Sequence, residues 1–455
     1  MNTSSATGQP QAVIDVADIV EKQKLSGFII RLIVVSWLIT FVDGFDMNVI
    51  AFAAPYLATA YDLDKPMLAN VFGVGIAGSL LGSMLFGALG DRLGRRRSII
   101  LATATFGVFT LGLALADEYW ELLALRFLNG MALGGAIPLA CALSIEYVPR
   151  RYRATIVTLI MLGYGLGVSM GGPIAVALIP RYGWQSVFVL GGLASLLAAI
   201  LLYWALPESL RFLATRESRN AAMLRIVRKL APERKDLEKA RFILSGQDTD
   251  GGARSSPTVL FRGELRWITP LLWLGYAASS MNTFFFSTWG PLVFEEMGLT
   301  RETAAYSSSF NSLAGAIGAL VLMRFTDRIG AISVAVLPAI AVPFLLAIGL
   351  VPVGQTAFLV MMGTLYIFLG GSHYGIISIA GTFYPTAHRA LGAGWASGMG
   401  KLGSIAGPWV GGWILASVFP VRHAFAVLAI CPAIFFVCVL AIGLMERRGR
   451  VRAAE

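Results

Sequence analysis

The sequence predicts an all-α polytopic membrane protein with twelve transmembrane helices in two six-helix, pseudo-symmetric halves. Three observations lead to this fold class. Of the 455 residues, 56% are hydrophobic and only 14% are charged, unlike the balance of a soluble domain. The chain also contains 50 Gly, a residue that permits close helix contact within lipid. Finally, its apolar residues form runs long enough to cross a bilayer, and the pattern of the first half recurs in the second.

Twelve apolar runs are separated by charged residues or by Gly and Pro turns. A helix needs about 20 apolar residues to cross about 30 Å of hydrocarbon, and each run is of that order. The predicted spans are 28–58, 66–89, 98–117, 120–146, 154–178, 184–206, 267–294, 303–325, 331–352, 356–384, 391–416 and 423–445.

The net charge of +10 is a topology signal, because the basic residues gather in alternate gaps between the spans. The basic gaps hold Lys22, Lys24 and Arg31; Arg92, Arg95, Arg96 and Arg97; Arg150, Arg151 and Arg153; Arg324 and Arg328; Arg389; and Arg447, Arg448, Arg450 and Arg452. The opposite gaps hold only Lys65, Arg181, Arg301 and Arg422. Since basic loops remain in the cytoplasm, we expect both termini there. The polar first 26 residues do not read as a signal peptide.

The two halves of the chain repeat one another at a nearly constant offset. Matching positions 236 residues apart are Asp91-Arg92 and Asp327-Arg328, Pro149 and Pro385, Arg153-Ala154 and Arg389-Ala390, and Pro55 and Pro291. The sequence therefore predicts an N-terminal half over 1–206, a cytoplasmic linker over 207–266 and a C-terminal half over 267–455, with a substrate site between the halves. Glycines near the matching Gly-Pro pairs, among them Gly167 and Gly403, predict faces of close helix packing.

Enzymatic and cofactor chemistry find no support in the sequence. Cys141, Cys431 and Cys438 lie in apolar runs without CxxC spacing, which predicts neither a metal site nor a disulfide. No Walker A, zinc, dinucleotide-binding or nucleophile-elbow motif occurs in a polar segment that could use it. We therefore expect no cofactor, no nucleic acid partner and no enzyme activity.

The chain resembles the major facilitator superfamily over nearly its whole length. The loop GALGDRLGRRR at 87–97 is similar to that superfamily's signature loop. Three further segments resemble its aromatic acid:proton symporter branch: Asp43-Gly44-Phe45-Asp46, Arg126-Phe127-Leu128 with Gly134-Gly135-Ala136, and Phe383-Tyr384-Pro385-Thr386 before Arg389-Ala390. Two positions depart from the branch, which usually has Arg at the position of Lys401 and an amide at that of His373.

Charged residues within the spans are functional candidates, because burying charge in a bilayer is costly. Asp43 and Asp46 share a helix face, and two carboxylates so close resist double ionisation, as a proton carrier requires. Arg126 is expected to pair with one of them, in either proton coupling or a structural clamp. The alternative for Asp46 is a plain hydrogen bond to a neighbouring helix. The repeat places uncharged residues at the matching positions of the second half, so proton chemistry is expected in the first half.

The second half supplies cationic groups that the first half lacks. Lys401 lies deep in its span and is expected to attract a substrate carboxylate, although a snorkelling lysine is the alternative. His373 either donates a hydrogen bond to substrate or takes part in the proton path, or else is a packing residue. Aromatic candidates for the walls of a substrate site are Phe45, Phe284, Phe285, Phe286, Trp289, Tyr384 and Trp395.

The resemblance assigns residues at the cytoplasmic edge to gating rather than to substrate contact. These are Asp91, Arg92, Arg95, Glu146 and Arg389, with an Arg95–Glu146 pair expected to hold the halves together on one side. The alternative is topological anchoring by positive charge alone.

The function that follows is proton-coupled import of aromatic carboxylates of the benzoate or hydroxybenzoate class across a bacterial inner membrane, by a monomer. Within transport, the alternatives are a carrier of another organic anion or a drug:proton antiporter. From a different class, the alternative is a receptor that binds aromatic acids without transporting them. The ring substituents and the proton stoichiometry stay open.

Overall fold

The computed structural model describes residues 13–23, 26–215, 220–231, 233, 241–243, 256–263, 265–329, 331–384 and 388–454. Within these ranges, the side chains at 13, 154, 241, 319–333, 377–383, 389–390 and 446–454 are not described. Much of the predicted linker, together with the side chain of Arg389, therefore lies outside the described part of the protein.

Long α-helices form almost all of the described structure. In chain order, the helices of the N-terminal half are α1 Val16–Lys22, α2 Gly27–Ala60, α3 Lys65–Leu93, α4 Arg95–Leu113, α5 Tyr119–Glu146, α6 Arg153–Tyr182 and α7 Gln185–Ala205. The linker contributes α8 Leu210–Ala214, α9 Asn220–Leu230 and a 3-10 helix, Pro257–Phe261. The C-terminal half has α10 Leu265–Glu296, α11 Arg301–Ile329, α12 Ala331–Leu350, α13 Gln355–Phe383, α14 Arg389–Ala416, α15 Arg422–Leu428 and α16 Ile430–Ala454.

Every predicted span falls on a helix, although several helix ends differ from the predicted bounds by four residues or more. The twelfth span is broken at Ala429, which separates α15 from α16. The third begins earlier than expected, at Arg95, because Gly94 has a φ of +97° and turns the chain directly from α3 into α4. Among the described residues, seven helices are long and apolar enough by themselves to cross a membrane. Three of the other long helices, α10, α11 and α14, carry polar residues such as Asn282, Ser308 and Lys401.

The same helix pairs pack together in both halves. In the first half α2 packs against α6, α3 against α5 and α4 against α7, and in the second half α10 packs against α14, α11 against α13 and α12 against α16. The halves meet where α3 contacts α14, where α6 contacts α11 and where α2 contacts α10. This arrangement is the pseudo-two-fold relation that two parallel six-helix repeats produce.

The hydrophobic core clusters show at which end of the helix bundle the two halves pack against each other. One cluster combines both halves near the end of the bundle that carries Lys65, with Phe72 and Trp289 among its members. Near the opposite end, which carries Arg95, one cluster belongs to the first half and the linker, and another belongs to the second half with Leu260. The two halves are therefore joined at the Lys65 end and have separate cores at the Arg95 end.

The N-terminal segment and the linker pack together at the Arg95 end of the first half. Strand β1, Val13–Asp15, pairs in parallel with β2, Arg241–Ile243. Helix α9 is amphipathic and buries Met223 and Val227 against the first half. The linker thereby adds a small folded layer to that half.

Candidate functional site

The centre of the first half contains a buried polar network on α2, α4 and α5. Asp46 is 0% exposed and Arg126 is 3% exposed, and their Oδ2 and Nη1 atoms are 3.7 Å apart. Nη1 of Arg126 also donates to Oδ1 of Asn129 at 3.1 Å, and Nδ2 of Asn129 donates to Oγ1 of Thr110 at 2.7 Å. Arg126 therefore pairs with Asp46 rather than with Asp43.

Two glycines make room for this network. A Cβ on Gly75 would lie 2.9 Å from Nε of Arg126, and a Cβ on Gly191 would lie 3.3 Å from Oδ1 of Asp46. Besides Arg126, the polar groups next to the Asp46 carboxylate are those of Thr110 and Asn129. A carboxylate with few hydrogen bonds, shielded from water and next to one arginine, is chemically suited to exchange a proton as its surroundings change.

Asp43 has different neighbours, at the boundary between the halves. It is 5% exposed, and its carboxylate interacts electrostatically with Asp46 and, across the boundary, with Lys401 of α14. Lys401 is half-buried, and its attraction to Asp43 opposes the cost of burying its charge. The two aspartates on one helix face thus have different cations nearby, Arg126 in contact with Asp46 and Lys401 at longer range from Asp43.

A cavity of about 250 Å³ lies between the halves, and neither Asp43 nor Lys401 is among its described lining residues. The first half contributes Asn48, Tyr164, Gly165 and Val168, and the second half contributes Thr283, Phe284, Phe286, Ser287, Ser308, Ser312, Gly315, Ala316, Tyr366, Leu369, Gly370, His373 and Tyr374. Oγ of Ser287 donates to Oδ1 of Asn48 at 2.8 Å, which joins the halves at this level. The walls combine flat rings with hydroxyl and amide groups, as a site for a small aromatic molecule requires.

Tyr164 connects this cavity to Asp43. It lines the cavity from α6, and it interacts electrostatically with Asp43 and with Tyr374. A Cβ on Gly44 would lie 2.2 Å from the carbonyl oxygen of Tyr164, so the glycine between the aspartates lets α6 approach α2 closely.

His373 is the predicted substrate residue that lines the cavity. Its Nδ1 is 3.1 Å from Oγ of Ser279, and its ring contacts Tyr276 and Tyr374 edge-on at centroid distances of 6.0 Å. The ring is therefore held in place and still borders the space between the halves.

Of the predicted aromatic residues, Phe284 and Phe286 also line the cavity, and the others lie elsewhere in this conformation. Phe45, Phe285 and Trp289 are buried in the core that both halves share, where Nε1 of Trp289 donates to the carbonyl oxygen of Pro408 at 3.0 Å. Tyr384 is buried in the core of the second half, and Trp395 is stacked on Trp273 at 5.7 Å and partly exposed.

Several cavity residues are absent from the candidates predicted by sequence, which were ionisable residues within the spans and a few aromatic residues. Asn48, Tyr164, Tyr366 and Tyr374 carry polar groups within apolar runs, and that signal could have identified them. The sequence alone could not show which residues of the run Phe284-Phe285-Phe286 face the cavity. Successive side chains on a helix point about 100° apart, and only the packing decides which ones meet the cavity.

The expected Arg95–Glu146 ion pair is present, but it does not join the halves. Both residues belong to the first half, at the ends of α4 and α5. Oε2 of Glu146 accepts a hydrogen bond from Oγ of Ser209 at 2.7 Å and one from the backbone N–H of Arg211 at 3.4 Å. The pair therefore ties the first half to the start of the linker, which corrects the expectation of a bridge between halves. Asp91 and Arg92 lie exposed at the same end.

A different ion pair joins the halves at the opposite end. Nζ of Lys65, at the start of α3, is 2.9 Å from Oε1 of Glu296, at the end of α10. The same ammonium donates to the carbonyl oxygen of Leu415 in α14 at 3.0 Å. From the sequence alone, Lys65 is only one of the few basic residues in the gaps predicted to lie outside the cytoplasm.

Comparison with known proteins identifies the family. Residues 36–380 match the family described as Major Facilitator Superfamily. The chain belongs to the Major Facilitator Superfamily. Its relatives include the 4-hydroxybenzoate transporter PcaK of Pseudomonas aeruginosa, 32% identical over 95% of this chain and 96% of that protein. The gallate transporter of Pseudomonas putida is also 32% identical, over 97% of each chain, and the benzoate transport protein of Acinetobacter baylyi is 26% identical over 92% of this chain and 91% of that one.

Solved structures of the superfamily share the fold. The xylose transporter XylE of E. coli, in a partially occluded inward open conformation, has a TM-score of 0.71 at 18% identity and covers 90% of this chain and 97% of that chain. An inward-facing bacterial homolog of the human lysosomal transporter Spinster has a TM-score of 0.69 at 16% identity, covering 91% and 98%. The predicted fold class and the family resemblance are confirmed: this chain is a multi-pass membrane protein of a transporter family.

Proposed function

We propose that this protein imports aromatic carboxylates together with protons, by alternating access. The observation that carries the proposal is the combination of two buried carboxylates on α2 with a ring-lined cavity between two six-helix halves. Relatives named for 4-hydroxybenzoate, gallate and benzoate transport support the substrate class.

The cavity accommodates a substrate ring, and we assign the substrate carboxylate to Lys401, which is not itself among the described lining residues. A volume of about 250 Å³ is below the usual range of about 300–1,000 Å³ for drug-sized ligands, which favours a single substituted ring. Phe284 and Phe286 offer flat faces, while Tyr164, Tyr374 and His373 offer polar groups for ring substituents. Lys401 supplies a positive charge that interacts with Asp43.

Coupling follows from competition for Lys401. Without substrate, Lys401 compensates the charge of Asp43. A substrate carboxylate that draws the ammonium away leaves Asp43 uncompensated in a site shielded from water, and Asp43 then takes up a proton. Asp46 can lose or gain its proton as Arg126 approaches or withdraws. Proton uptake and substrate binding are thereby linked through the two aspartates and the cations near them.

The access cycle is supported by the distribution of contacts between the halves. If the basic end is cytoplasmic, as the charge rule predicts, the joined Lys65 end faces outward. This conformation is then closed to the outside, and the opposite state requires the Lys65–Glu296 contact to open.

The proposal is tested by uptake into cells that lack other aromatic-acid carriers. A panel of labelled hydroxylated and methoxylated benzoates is supplied, with and without a protonophore. We expect at least one acid to accumulate against its gradient, and the protonophore to abolish that accumulation. Binding without accumulation of any aromatic acid would indicate a receptor, and accumulation that persists with the protonophore would contradict proton coupling.

Asp43→Asn and Asp46→Asn test the proton carriers, because an amide keeps the shape but cannot carry the proton. Each variant should lose accumulation while substrate exchange across the membrane survives. Asp62→Asn, in the exposed turn after α2, is the matched control and should accumulate substrate normally. Accumulation at the wild-type level in both single variants would remove the two aspartates from the mechanism.

A further inference from the structure

A second cavity, of about 650 Å³, lies at the Arg95 end of the first half, away from the transport site. Its walls come from the start of α2, the junction of α3 and α4, the end of α7, and helices α8 and α9 of the linker. It exists only because the linker folds back onto the first half. This cavity takes no part in the transport mechanism proposed above.

The cavity walls are strongly cationic. Six basic residues line it: Arg31, Arg92, Arg96, Arg97, Arg225 and Lys229. Glu208 is the acid among the lining residues, and its Oε1 already accepts the backbone N–H groups of Arg96 at 3.1 Å and Ser209 at 2.9 Å. Within the described ranges, no ion pair joins any of the six cations to an acid. Their mutual repulsion favours an anion in the space between them.

Three of these cations lie beside aromatic rings, Arg31 and Lys229 at Phe28 and Arg96 at Tyr203. The guanidinium carbon of Arg96 is 5.4 Å from the centre of the Tyr203 ring, and Nη2 of Arg96 donates to the carbonyl oxygen of Tyr203 at 2.6 Å. Lys229 lies 5.9 Å from the centre of the Phe28 ring. Nε of Arg96 is buried and has no hydrogen-bond partner among the described residues. The site therefore offers cations that are held in place as well as a net positive charge.

One side of the cavity is apolar and lies at the end of α7, where we expect the boundary between lipid and water. Trp204 lines the cavity and is 78% exposed, and the neighbouring Tyr203 is 56% exposed, both at the end of α7. Exposed Trp and Tyr at the end of a spanning helix are typical of the boundary between lipid and water. Phe28, Phe212 and Ile226 add apolar surface to the wall. A fitting ligand thus combines an anionic group with an apolar part.

We propose that this cavity binds a phosphate-bearing anion, which the bilayer supplies as the headgroup of an anionic phospholipid. Arginine guanidinium groups match phosphate oxygens with paired N–H donors, and four of the lining arginines belong to the ends of spanning helices. Basic pockets at the end of a helix bundle are suited to acidic lipid headgroups. Bound there, the lipid bridges α9 to α2, α3 and α4 and stabilises the linker layer on the first half. A soluble phosphate offers the charge but not the acyl chains that Trp204 would contact.

The test measures the melting temperature of the purified full-length protein in neutral detergent after its native lipids are removed. Phosphatidylglycerol, cardiolipin, zwitterionic phosphatidylcholine or inorganic phosphate is then added. We expect the anionic lipids to raise the melting temperature and phosphatidylcholine to have little effect. An equal rise with inorganic phosphate would overturn the assignment to lipid.

Arg225→Gln combined with Lys229→Gln should lose most of the stabilisation by anionic lipid. Both residues are exposed on α9, so the fold itself should not depend on them. Arg151→Gln combined with Arg228→Gln removes two charges at the same end outside the cavity, and should respond like the wild type. Native mass spectrometry of the Lys229→Gln single variant gives a second readout, with fewer retained anionic lipids expected. Equal lipid response and retention in wild type and cavity variants would overturn the proposal.

Discussion

At the residue scale, Asp43 and Asp46 show how neighbours on one helix acquire different chemistry. Asp46 lies beside Arg126 within the first half, whereas Asp43 interacts with Lys401 across the boundary between the halves. A cation from the other half can leave Asp43 when the halves rotate, whereas Arg126, in the same half as Asp46, can withdraw only by a local rearrangement of its side chain. The coupling proposed above therefore depends more directly on Asp43.

Replacing Lys401 tests the carboxylate-binding role. In Lys401→Ala, the cavity still accommodates a ring but no longer compensates the substrate charge, so binding of aromatic acids should weaken about 10- to 100-fold. The measurement is a titration of the purified protein with the acid that it transports. Lys401→Arg should be milder because the charge remains, although the planar fork needs more room and shifts the preference among substituted rings.

Arg181→Ala controls for the loss of one positive charge, because Arg181 lies exposed at the end of α6. It should bind substrate as the wild type does. Unchanged affinity in Lys401→Ala would mean that the anion is held elsewhere, with His373 and Arg126 as the next candidates.

At the element scale, the helices are held at close range by glycines whose positions the sequence indicated. A Cβ on Gly167 would lie 2.0 Å from the carbonyl oxygen of Phe41, and one on Gly403 would lie 2.1 Å from that of Ala277. These contacts join α6 to α2 and α14 to α10, which are equivalent pairs in the two halves. Small residues allow such backbone approach where lipid provides no hydrophobic drive.

Gly403→Ala should therefore destabilise the protein, because α14 would have to move away from α10. The expected cost of overpacking is about 1–3 kcal/mol, seen as a lower melting temperature in detergent. Gly398→Ala in the same helix is the control, since a Cβ there meets nothing within 4 Å. A melting temperature for Gly403→Ala equal to that of the control would contradict the close packing.

The start of the linker is attached to the first half through Glu146, at the end of α5. Its carboxylate accepts hydrogen bonds from Ser209 and from the backbone of Arg211, in addition to pairing with Arg95. Glu146→Gln removes the charge from this junction, so α8 should open more often. Hydrogen exchange of the amides in 209–214 should become faster, whereas Glu118→Gln, at the other end of α5, should leave it unchanged. Unaltered exchange in Glu146→Gln would show that the junction does not hold the linker.

At the scale of the whole molecule, the Lys65–Glu296 pair bears on the balance between the two access states. Both side chains are about a third exposed, so solvent screens the pair and its contribution is about 0.2–1 kcal/mol. Glu296→Gln should shift the equilibrium away from the joined state by no more than about fivefold. Distances between spin labels on the loops after α2 and after α12 would measure that shift.

Glu302→Gln is the matched control, because Glu302 lies exposed in the first turn of α11 and joins no ion pair among the described residues. It should leave the distance distribution between the halves unchanged. An equal shift in both variants would attribute the effect to net charge rather than to the bridge between the halves.

Much of this protein follows from local sequence. The need to bury about 20 apolar residues per crossing sets the twelve spans, and the constant offset of 236 residues relates the two halves. The cost of placing charge in lipid singles out Asp43, Asp46, Arg126, His373 and Lys401. The fold prediction is confirmed because lipid penalises polar groups wherever the surrounding helices lie, whereas the roles of the five charged residues stay predictions.

Only the tertiary structure decided which of those groups meet. Asp46 rather than Asp43 faces Arg126, and Phe284 and Phe286 rather than Phe285 face the cavity, because helix rotation depends on packing against distant segments. The Arg95–Glu146 pair stayed within one half, and Lys65, which resembled a simple topology marker, joined the two halves. A sequence records the identity and spacing of its side chains, whereas their partners are set by how the helices rotate and cross in three dimensions.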